Sequence, residues 1–262
     1  VHLARVAGSA HTVQRNTSVI RESPADAIAV YLTLRGDAWF EHSGGTRALR
    51  PGNIVLCDAD RPFARGFTRG LEELAIKVPR SALGDHMPPA SLRTPVIADF
   101  ARGRDPYARA LARLADRTAR ADPGGPASER TVVELVAVLG GGRQANPSLA
   151  HRAAGRCFIE EHLHEPGLTA TQVAAAIGVS ERHLSRVFAA DGTSIPRYVL
   201  SRRLQLAHAI LSDPAGRATV ADVAAQCGFA SATYFSHVFR ERFGQRAGEV
   251  RRQARVPQAA PA

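Results

Sequence analysis

Apolar and polar residues alternate through the first third of the chain, and this period of two predicts β-strands. The positions that define the two clearest strands are Ile28, Val30, Leu32 and Leu34, and then Leu74, Ile76 and Val78. Turn-forming pairs such as Pro51 and Gly52 interrupt the runs at short intervals. Short strands separated in this way predict an antiparallel barrel or sandwich rather than alternating strands and helices.

The period becomes helical after Pro106. Two helical segments, separated by a Pro/Gly-rich break at 122–126, predict a helical hairpin over 107–139. We expect this hairpin to dimerise the protein, because its apolar positions exceed what one helix pair needs to cover a small barrel. The positions concerned are Leu111, Leu114, Val132, Val136 and Leu139.

Residues 140–148 are rich in turn formers and lack apolar periodicity, which predicts a linker between domains. The predicted fold class is therefore α+β with two domains. We expect residues 1–139 to form an antiparallel β-barrel with the helical hairpin. Residues 149–262 form an all-α domain.

Two helix-turn-helix units are predicted in this second domain. In the first, Thr169 and Gln172 have the spacing of a capping box, Gly178 supplies the turn and Ser180 caps the next helix. Its apolar face consists of Val173, Ala174, Ile177, Leu184, Val187 and Phe188.

The same pattern returns about fifty residues later. Val173 corresponds to Val223, an offset of 223 − 173 = 50, and Leu184 corresponds to Phe235, an offset of 235 − 184 = 51. The second turn is therefore one residue longer. One helix-turn-helix pattern is moderately specific, whereas two in register rarely arise by chance.

An amphipathic helix from Ile195 to Ser212, with Pro196 in its first turn, joins the two units. Its length of about 25 Å is of the scale needed to place two recognition helices in successive major grooves, about 34 Å apart. We therefore expect one protomer to recognise two adjacent half-sites.

Residues 158–252 resemble the AraC/XylS family of transcription regulators. The resemblance rests on Gly192-Thr-Ser-Ile-Pro196-Arg-Tyr198, on Arg203-Leu204-Gln-Leu-Ala207, and on Cys227-Gly228-Phe229 through Tyr234-Phe235-Ser-His-Val-Phe239-Arg-Glu-Arg-Phe243-Gly244. It implies a sequence-specific DNA-binding regulator, more often an activator, with RNA polymerase as a partner. It also implies a structural role for Arg203. The family's Thr-Pro pair and Tyr after the last Gly are replaced here by residues 245–251, so we expect a less sharply defined start of the final helix.

The outward positions of the two recognition helices are the predicted DNA-binding residues. In the first unit, Arg182 and Arg186 are the expected base readers, since Arg can bond O6 and N7 of guanine together; the alternative is that one of them holds a phosphate. The other predicted positions are Glu181 and Ser185 in the first unit and Ala232, Thr233, Ser236 and His237 in the second. The second set is less charged, which predicts weaker base recognition. Arg197, Arg202 and Arg240 are candidate phosphate clamps, or else plain surface charges.

The first domain resembles the cupin-like sensor domain of the same family, through Arg50-Pro51-Gly52-Asn53-Ile54-Val55-Leu56 and Asp60-Arg61-Pro62-Phe63. This implies a small-molecule effector, for which Trp39, His42 and Phe63 are the candidate binding residues; the alternative for the aromatic rings is simple core packing. Metal-binding cupins need a cluster of His and Glu. Here only His42 lies where such a cluster would begin, so we expect no metal, no cofactor and no catalytic residues.

Two other functions stay open from the sequence, a metal-dependent cupin enzyme with a DNA-binding tail and a DNA-repair alkyl transferase. Both need ligand clusters, whereas Cys57, Cys157 and Cys227 lie far apart. The formal charge of +10 favours an anionic partner such as double-stranded DNA. No apolar run of membrane-spanning length and no signal-peptide pattern is visible, so we expect a cytoplasmic, nucleoid-associated protein without a membrane partner. The first residues read as strand, so we expect the natural chain to begin before Val1.

Overall fold

A computed structural model describes residues 1–87, 91–102, 105–120, 126–141 and 146–255. They divide into two units, Val1–Ala154 and Gly155–Ala262. The division falls within one helix, Pro147–Glu161. The predicted linker at 140–148 lies partly outside the described residues, and that helix begins inside it.

The first unit contains two antiparallel sheets. Its strands are β1 His2–Gly8, β2 His11–Arg15, β3 Ala27–Arg35, β4 Ala38–His42, β5 Gly45–Leu49, β6 Asn53–Asp58, β7 Phe63–Phe67, β8 Leu71–Pro79 and β9 Val96–Asp99. One sheet has the order β1-β8-β3-β6-β9 and the other β2-β7-β4-β5. The predicted barrel was wrong in this respect: the strands form a two-sheet sandwich that does not close, because among the described residues no strand pairing joins one sheet to the other.

The central strand β3 is buried on both faces. Ile28, Val30 and Leu32 are fully buried on one face, which confirms the predicted alternation. On the opposite face, Ala29 and Tyr31 belong to the cluster that fills the space between the sheets. The five-stranded sheet is therefore the middle layer of the unit.

Helices cover the outer face of the five-stranded sheet. The first unit has α1 Thr17–Glu22, α2 Arg80–Leu83, a 3-10 turn Gly84–His86, α3 Pro106–Arg120 and α4 Pro126–Gly141. Helices α3 and α4 pack on each other and on strands of that sheet, which confirms the hairpin. Residues 121–125 of its predicted break lie outside the described part of the chain.

The apolar residues of the hairpin are used within one chain. Leu111 and Val136 are fully buried, and Leu114, Val132 and Leu139 are at most 7% exposed. These side chains are therefore buried without a second copy of the chain, so their number adds no support to the expected dimer, which stays a prediction.

The described residues of the second unit form helices and no strands, as predicted. Helix α5 Pro147–Glu161 leads into this unit, and the helices that follow are α6 Ala170–Ala176, α7 Glu181–Ala189, α8 Ile195–Ser212, α9 Val220–Gln226, α10 Ala232–Phe243 and α11 Ala247–Arg255. Glu249 accepts a hydrogen bond of 2.8 Å from the backbone N–H of Arg246. This bond defines the start of α11 although the Thr-Pro pair of the family is missing.

Helix α8 contributes to two separate cores. Ile195 and Val199, in its first half, pack with Val173, Leu184 and Phe188 of the first helix-turn-helix unit. The second half packs with the other unit, in a cluster that includes Leu204, Ala207, Leu211, Val223, Phe235 and Phe239. The spacer helix is thus a structural part of both units.

Candidate nucleic-acid interface

Helices α6 and α7 form the first helix-turn-helix unit. The Thr169 hydroxyl accepts from the Gln172 N–H while the Gln172 side chain accepts from the Thr169 N–H, which is the predicted capping box. Ser180 caps α7 by accepting from the His183 N–H. Between the helices, Gly178 has a φ of +75°, in the left-handed region that favours glycine.

Helices α9 and α10 repeat this construction. Thr219 and Asp222 form the capping box of α9, and Ser231 caps α10. Gly228 stands at the turn with a φ of +79°. A Cβ atom at this glycine would lie 2.3 Å from the Leu163 carbonyl oxygen, so the turn also needs glycine for close packing.

Two arginines project from the first recognition helix. Leu184, Val187 and Phe188 bury one face of α7. At 100° per residue, Arg182 and Arg186 lie on the opposite face, and both are exposed. Within the described part of the chain, neither guanidinium has a hydrogen-bond or ion-pair partner, so both are free to bind an anion or a base edge.

The other two candidates on α7 differ from each other. Ser185 is exposed at the side of the arginine face. Glu181, the first residue of α7, is exposed too, but its Oε2 accepts a hydrogen bond of 2.6 Å from the Thr171 hydroxyl of α6. Its carboxylate is therefore held in place at the end of the helix.

The second recognition helix presents a different set of side chains. Phe235, Val238 and Phe239 are buried, so Thr233, His237 and Arg240 occupy the opposite face of α10. The Ser236 hydroxyl donates to the Ala232 carbonyl at 2.9 Å, within the helix. All five candidates on α10, one of which is Ala232, are exposed. Cationic charge is less concentrated here than on α7.

The three candidate phosphate clamps lie in different surroundings. Arg197 and Arg240 are exposed. Arg202 is bound to both carboxylate oxygens of Glu160 on α5, with Nη2 at 3.0 Å from Oε2. Burial alone lowers the pKa of Arg202, but the hydrogen bonds and charge of Glu160 outweigh it and raise that pKa overall. Its guanidinium therefore links α8 to α5, and its role as a phosphate clamp stays a prediction.

Arg203 has the structural position that the resemblance implies. Its Nε donates to the Leu163 carbonyl at 2.9 Å, and its Nη2 donates to the Glu165 carbonyl. The turn at Gly228 packs against the same guanidinium. Arg203 therefore connects the segment after α5 to the turn of the second helix-turn-helix unit.

Some relevant residues escape the sequence patterns. Thr171 was missed because only its capping neighbours have a recognised motif. Tyr234, on the first turn of α10, is 52% exposed although it is aromatic. Arg156 and Asp191 form a buried ion pair far apart in the sequence. A comparison of the two repeats could have drawn attention to Thr171, because the equivalent residue of the second helix-turn-helix unit is Ala221. The repeat gives no such indication for the other residues.

The effector candidates separate onto two faces of the four-stranded sheet. His42 and Phe63 line a cavity of about 440 Å³ at one end of the sandwich, together with Arg15, Cys57 and Arg93. Trp39 instead covers Gly66, where a Cβ atom would lie 2.5 Å from its indole ring. Trp39 alternates with the inward Phe40 and thus points to the outer side of the sheet.

Two negative findings concern the described residues alone. No group of three or more His, Cys, Asp or Glu side chains there is placed to hold a metal ion. Within the same ranges, none of the helices combines the length and the apolar character needed to cross a bilayer.

Two family descriptions match the chain. Residues 1–140 match the AraC-binding-like domain, and residues 173–253 match a helix-turn-helix domain. The first match covers more than half of the 262 residues. The first match covers the sandwich and its helical hairpin, and the second covers most of the segment from α6 to α11.

Individual proteins are similar over different lengths. The transcriptional activator NphR of Rhodococcus sp is 26% identical over 264 residues, which covers 97% of this chain and 78% of the relative. The transcriptional activator RhrA of Rhizobium meliloti (strain 1021) is 33% identical over 96 residues, 37% of this chain and 31% of the relative. A transcriptional regulator of Chromobacterium violaceum with an AraC-type DNA-binding domain has a solved structure. It is 29% identical, has a TM-score of 0.39, and the match covers 42% of this chain and 97% of that one.

Proposed function

The chain belongs to the AraC family and is a DNA-binding transcription regulator, and from this premise we propose that one protomer places α7 and α10 in two successive major grooves and activates transcription in response to a small effector. The observation that carries the DNA part is that both helix-turn-helix units are built on the single helix α8. Its 18 residues span about 27 Å at 1.5 Å per residue.

The exposed side chains support unequal roles for the two units. Arg182 and Arg186 are exposed, and a guanidinium can bond O6 and N7 of guanine in the major groove. Thr233 and His237 offer shorter or weaker contacts, and Arg240 adds a charge one turn further along α10. Arg197 is exposed at the start of α8, which supports a role in binding a phosphate between the two helix-turn-helix units.

The spacing of the binding site tests this arrangement. We would select sites for the full chain from randomised duplexes and measure affinity by fluorescence anisotropy at fixed salt. We expect two short elements about 10–10.5 base pairs apart, without symmetry between them. Inserting about five base pairs turns the elements to opposite faces of the duplex. Affinity that survives this insertion unchanged would exclude simultaneous binding of α7 and α10.

The effector is proposed to occupy the cavity at the end of the sandwich. The cavity is of the size that small molecules occupy in proteins, about 300–1,000 Å³. Aromatic surface from Phe63, which stacks on Phe40 with ring centroids 5.2 Å apart, forms its apolar side. His42 and the arginines Arg15 and Arg93 supply polar groups around it.

A thermal-shift screen of small molecules on the full chain tests the effector site. A molecule that stabilises the protein and alters DNA binding should lose its effect in His42→Ala and in Phe63→Leu. Trp39→Phe is the matched control, since Trp39 lies on the other face of the sheet. If Trp39→Phe abolishes the shift while the other two variants keep it, the effector binds elsewhere.

Further partners and the location follow from the family rather than from the geometry. We propose RNA polymerase as a partner, and the cytoplasm, with its nucleoid, as the place of action. A homodimer is proposed on the same basis alone, since the apolar residues of α3 and α4 are already buried in one chain and do not argue for it separately. Sedimentation velocity of the full chain over a series of concentrations tests it. A strict monomer would exclude the dimer.

We propose no catalytic activity for this chain. An enzymatic cupin needs converging metal ligands, and among the described residues no such group exists. An alkyl transferase needs a metal-held cysteine cluster, whereas Cys57, Cys157 and Cys227 are buried at separate places in the fold and form no disulfide. Elemental analysis of the purified protein tests both alternatives, and a stoichiometric transition metal would contradict the proposal.

A further inference from the structure

The hydrogen bond between Thr171 and Glu181 joins the first turns of the two helices of the first unit. The Thr171 hydroxyl donates to Glu181 Oε2 at 2.6 Å. An O–H···O distance of this size is typical of a charged acceptor. Both side chains are exposed, so the bond is made at the surface where α7 begins. It fixes the direction of a carboxylate that would otherwise rotate freely.

The second unit folds without this bond. The repeat offsets place Ala221 at the position of Thr171 (171 + 50) and Ala232 at the position of Glu181 (181 + 51). Both units nevertheless have a capping box on their first helix, a serine cap on their second helix and three buried residues on its inner face. A helix-turn-helix of this design therefore does not need the bond for its fold, which favours a role in binding.

The free oxygen of the carboxylate gives the pair its chemistry. Glu181 Oε1 makes no hydrogen bond within the described part of the chain, so it remains an acceptor at the first position of α7. Residues at the start of a recognition helix contact base edges in the major groove. Cytosine presents only its N4 amino group there, as a donor, whereas guanine and thymine present acceptor oxygens that repel a carboxylate and adenine has the acceptor N7 beside its N6 amino group.

We propose that Thr171 is a positioning residue that holds Glu181 to accept a hydrogen bond from the N4 amino group of one cytosine in the half-site bound by α7. This inference rests on the proposed placement of α7 in a major groove. A carboxylate fixed before binding loses less rotational freedom on contact, and it excludes bases with acceptors at that edge. The first helix-turn-helix unit would then select a base through the attraction of this carboxylate for an amino group and its repulsion of acceptor atoms.

Base preference at a single position is the decisive measurement. For the full chain we would find the preferred site by selection from randomised duplexes, and then measure affinity for the four bases at each position. We expect one position of the α7 half-site to prefer cytosine by at least about fivefold, the lower end of what one good base contact provides. Thr171→Val, which keeps the shape but removes the donor, should bring this preference below about twofold. Thr171→Ser should restore it.

Two further variants separate positioning from folding. Glu181→Gln keeps an acceptor for Thr171 and should shift the preference towards adenine, because an amide can bond N6 and N7 together. The double variant Ala221→Thr with Ala232→Glu transfers the pair to the second unit, and should create a cytosine preference in the α10 half-site. Ala232→Glu alone is the matched control and should create a weaker one. Melting temperatures identify any variant that is not folded.

The outcomes are distinct. If Thr171→Val and Glu181→Ala both keep the base profile of the wild type, the inference is overturned while the proposed function stands. If the double variant yields no new preference, a positioned carboxylate is not sufficient and the inference fails in that form. If the wild-type chain shows no sequence preference at all, the proposed DNA recognition itself fails.

Discussion

The Nε of Arg203 donates a hydrogen bond of 2.9 Å to the Leu163 carbonyl, and through it the segment after α5 is attached to helix α8. The Leu163 oxygen also faces Gly228 across the second turn. One carbonyl therefore meets a guanidinium and a glycine from different parts of the second unit. This contact makes the two turn glycines of the tandem units inequivalent, although both have a left-handed backbone.

The first prediction compares these glycines. Gly178→Ala places a Cβ where no other atom lies within 4 Å, so only the left-handed backbone costs stability, about 1–2 kcal/mol. Gly228→Ala has the same backbone cost, and overpacking against the Leu163 carbonyl adds about 1–3 kcal/mol. Urea unfolding of both variants measures the difference. Equal losses of stability would mean that the Leu163 carbonyl moves away without cost.

The second prediction separates two arginines that the sequence placed in one group of DNA-binding candidates. Arg182→Ala should weaken specific DNA binding by roughly 1–3 kcal/mol, with a change in stability within about 0.5 kcal/mol. Arg202→Ala should do the reverse, because Glu160 loses charged hydrogen bonds worth about 1.5–3 kcal/mol. Anisotropy titrations and urea unfolding on the same preparations measure both. Normal stability with lost DNA affinity in Arg202→Ala would return Arg202 to the interface.

The salt dependence of Arg182→Ala decides between its two alternatives. A lost phosphate contact reduces the slope of log affinity against log salt by about one and weakens binding uniformly across sequences. A lost base contact instead relaxes the preference at one position. We expect the second result, because Arg182 lies in the first turn of α7. A reduced slope with an unchanged base preference would assign Arg182 to a phosphate.

The third prediction concerns the buried thiols. Burial raises the pKa of Cys57 from 9.0 to about 12 and that of Cys227 from 9.0 to about 11. Since the thiolate is the reactive form, both should resist iodoacetamide at pH 8.5 in the native protein and react fully in urea. As the pH rises, Cys227 should react before Cys57. Mass spectrometry of peptides measures this order, and fast labelling of native Cys57 would contradict the buried position.

The sequence predicted the elements whose cause is local. Capping boxes, the turn glycine and the apolar spacing of α7 and α10 depend on residues within one turn of each other, so the pattern was sufficient for both helix-turn-helix units. The alternation in β3 was also sufficient to identify the buried strand. Whether strands close into a barrel depends on pairings between distant strands, which alternation does not encode, and the expected barrel was a sandwich.

The side-chain partners were hidden for the same reason. Glu160 lies 42 residues from Arg202, and Arg65 pairs inside the sandwich with Glu73 of the other sheet, with Nη1 at 2.9 Å from Oε2. Neither pair has a sequence spacing that would indicate it. Trp39 shows the limit within a single strand, because period two separates Trp39 from Phe40 but does not say which face of the sheet holds the cavity.

The fourth prediction concerns His237, which occupies on α10 the position of Arg186 on α7. An arginine is always charged, whereas a histidine changes charge between about pH 5 and 8. DNA phosphates favour the cationic imidazole, so binding should take up a proton, and by linkage the affinity should rise as the pH falls through this range. His237→Arg should bind more tightly at pH 8 and show a flatter pH dependence.

The comparison must be made on the same DNA at fixed salt, because salt alone changes affinity steeply. The other histidines of residues 155–262 remain in both proteins, so their contribution cancels when the two curves of affinity against pH are compared. His151, at the start of α5, cancels in the same way. Identical profiles for wild type and His237→Arg between about pH 6 and 8 would show that His237 touches neither the bases nor the phosphates. In that case Arg240, with its permanent charge, would be the principal cation of α10 at the DNA.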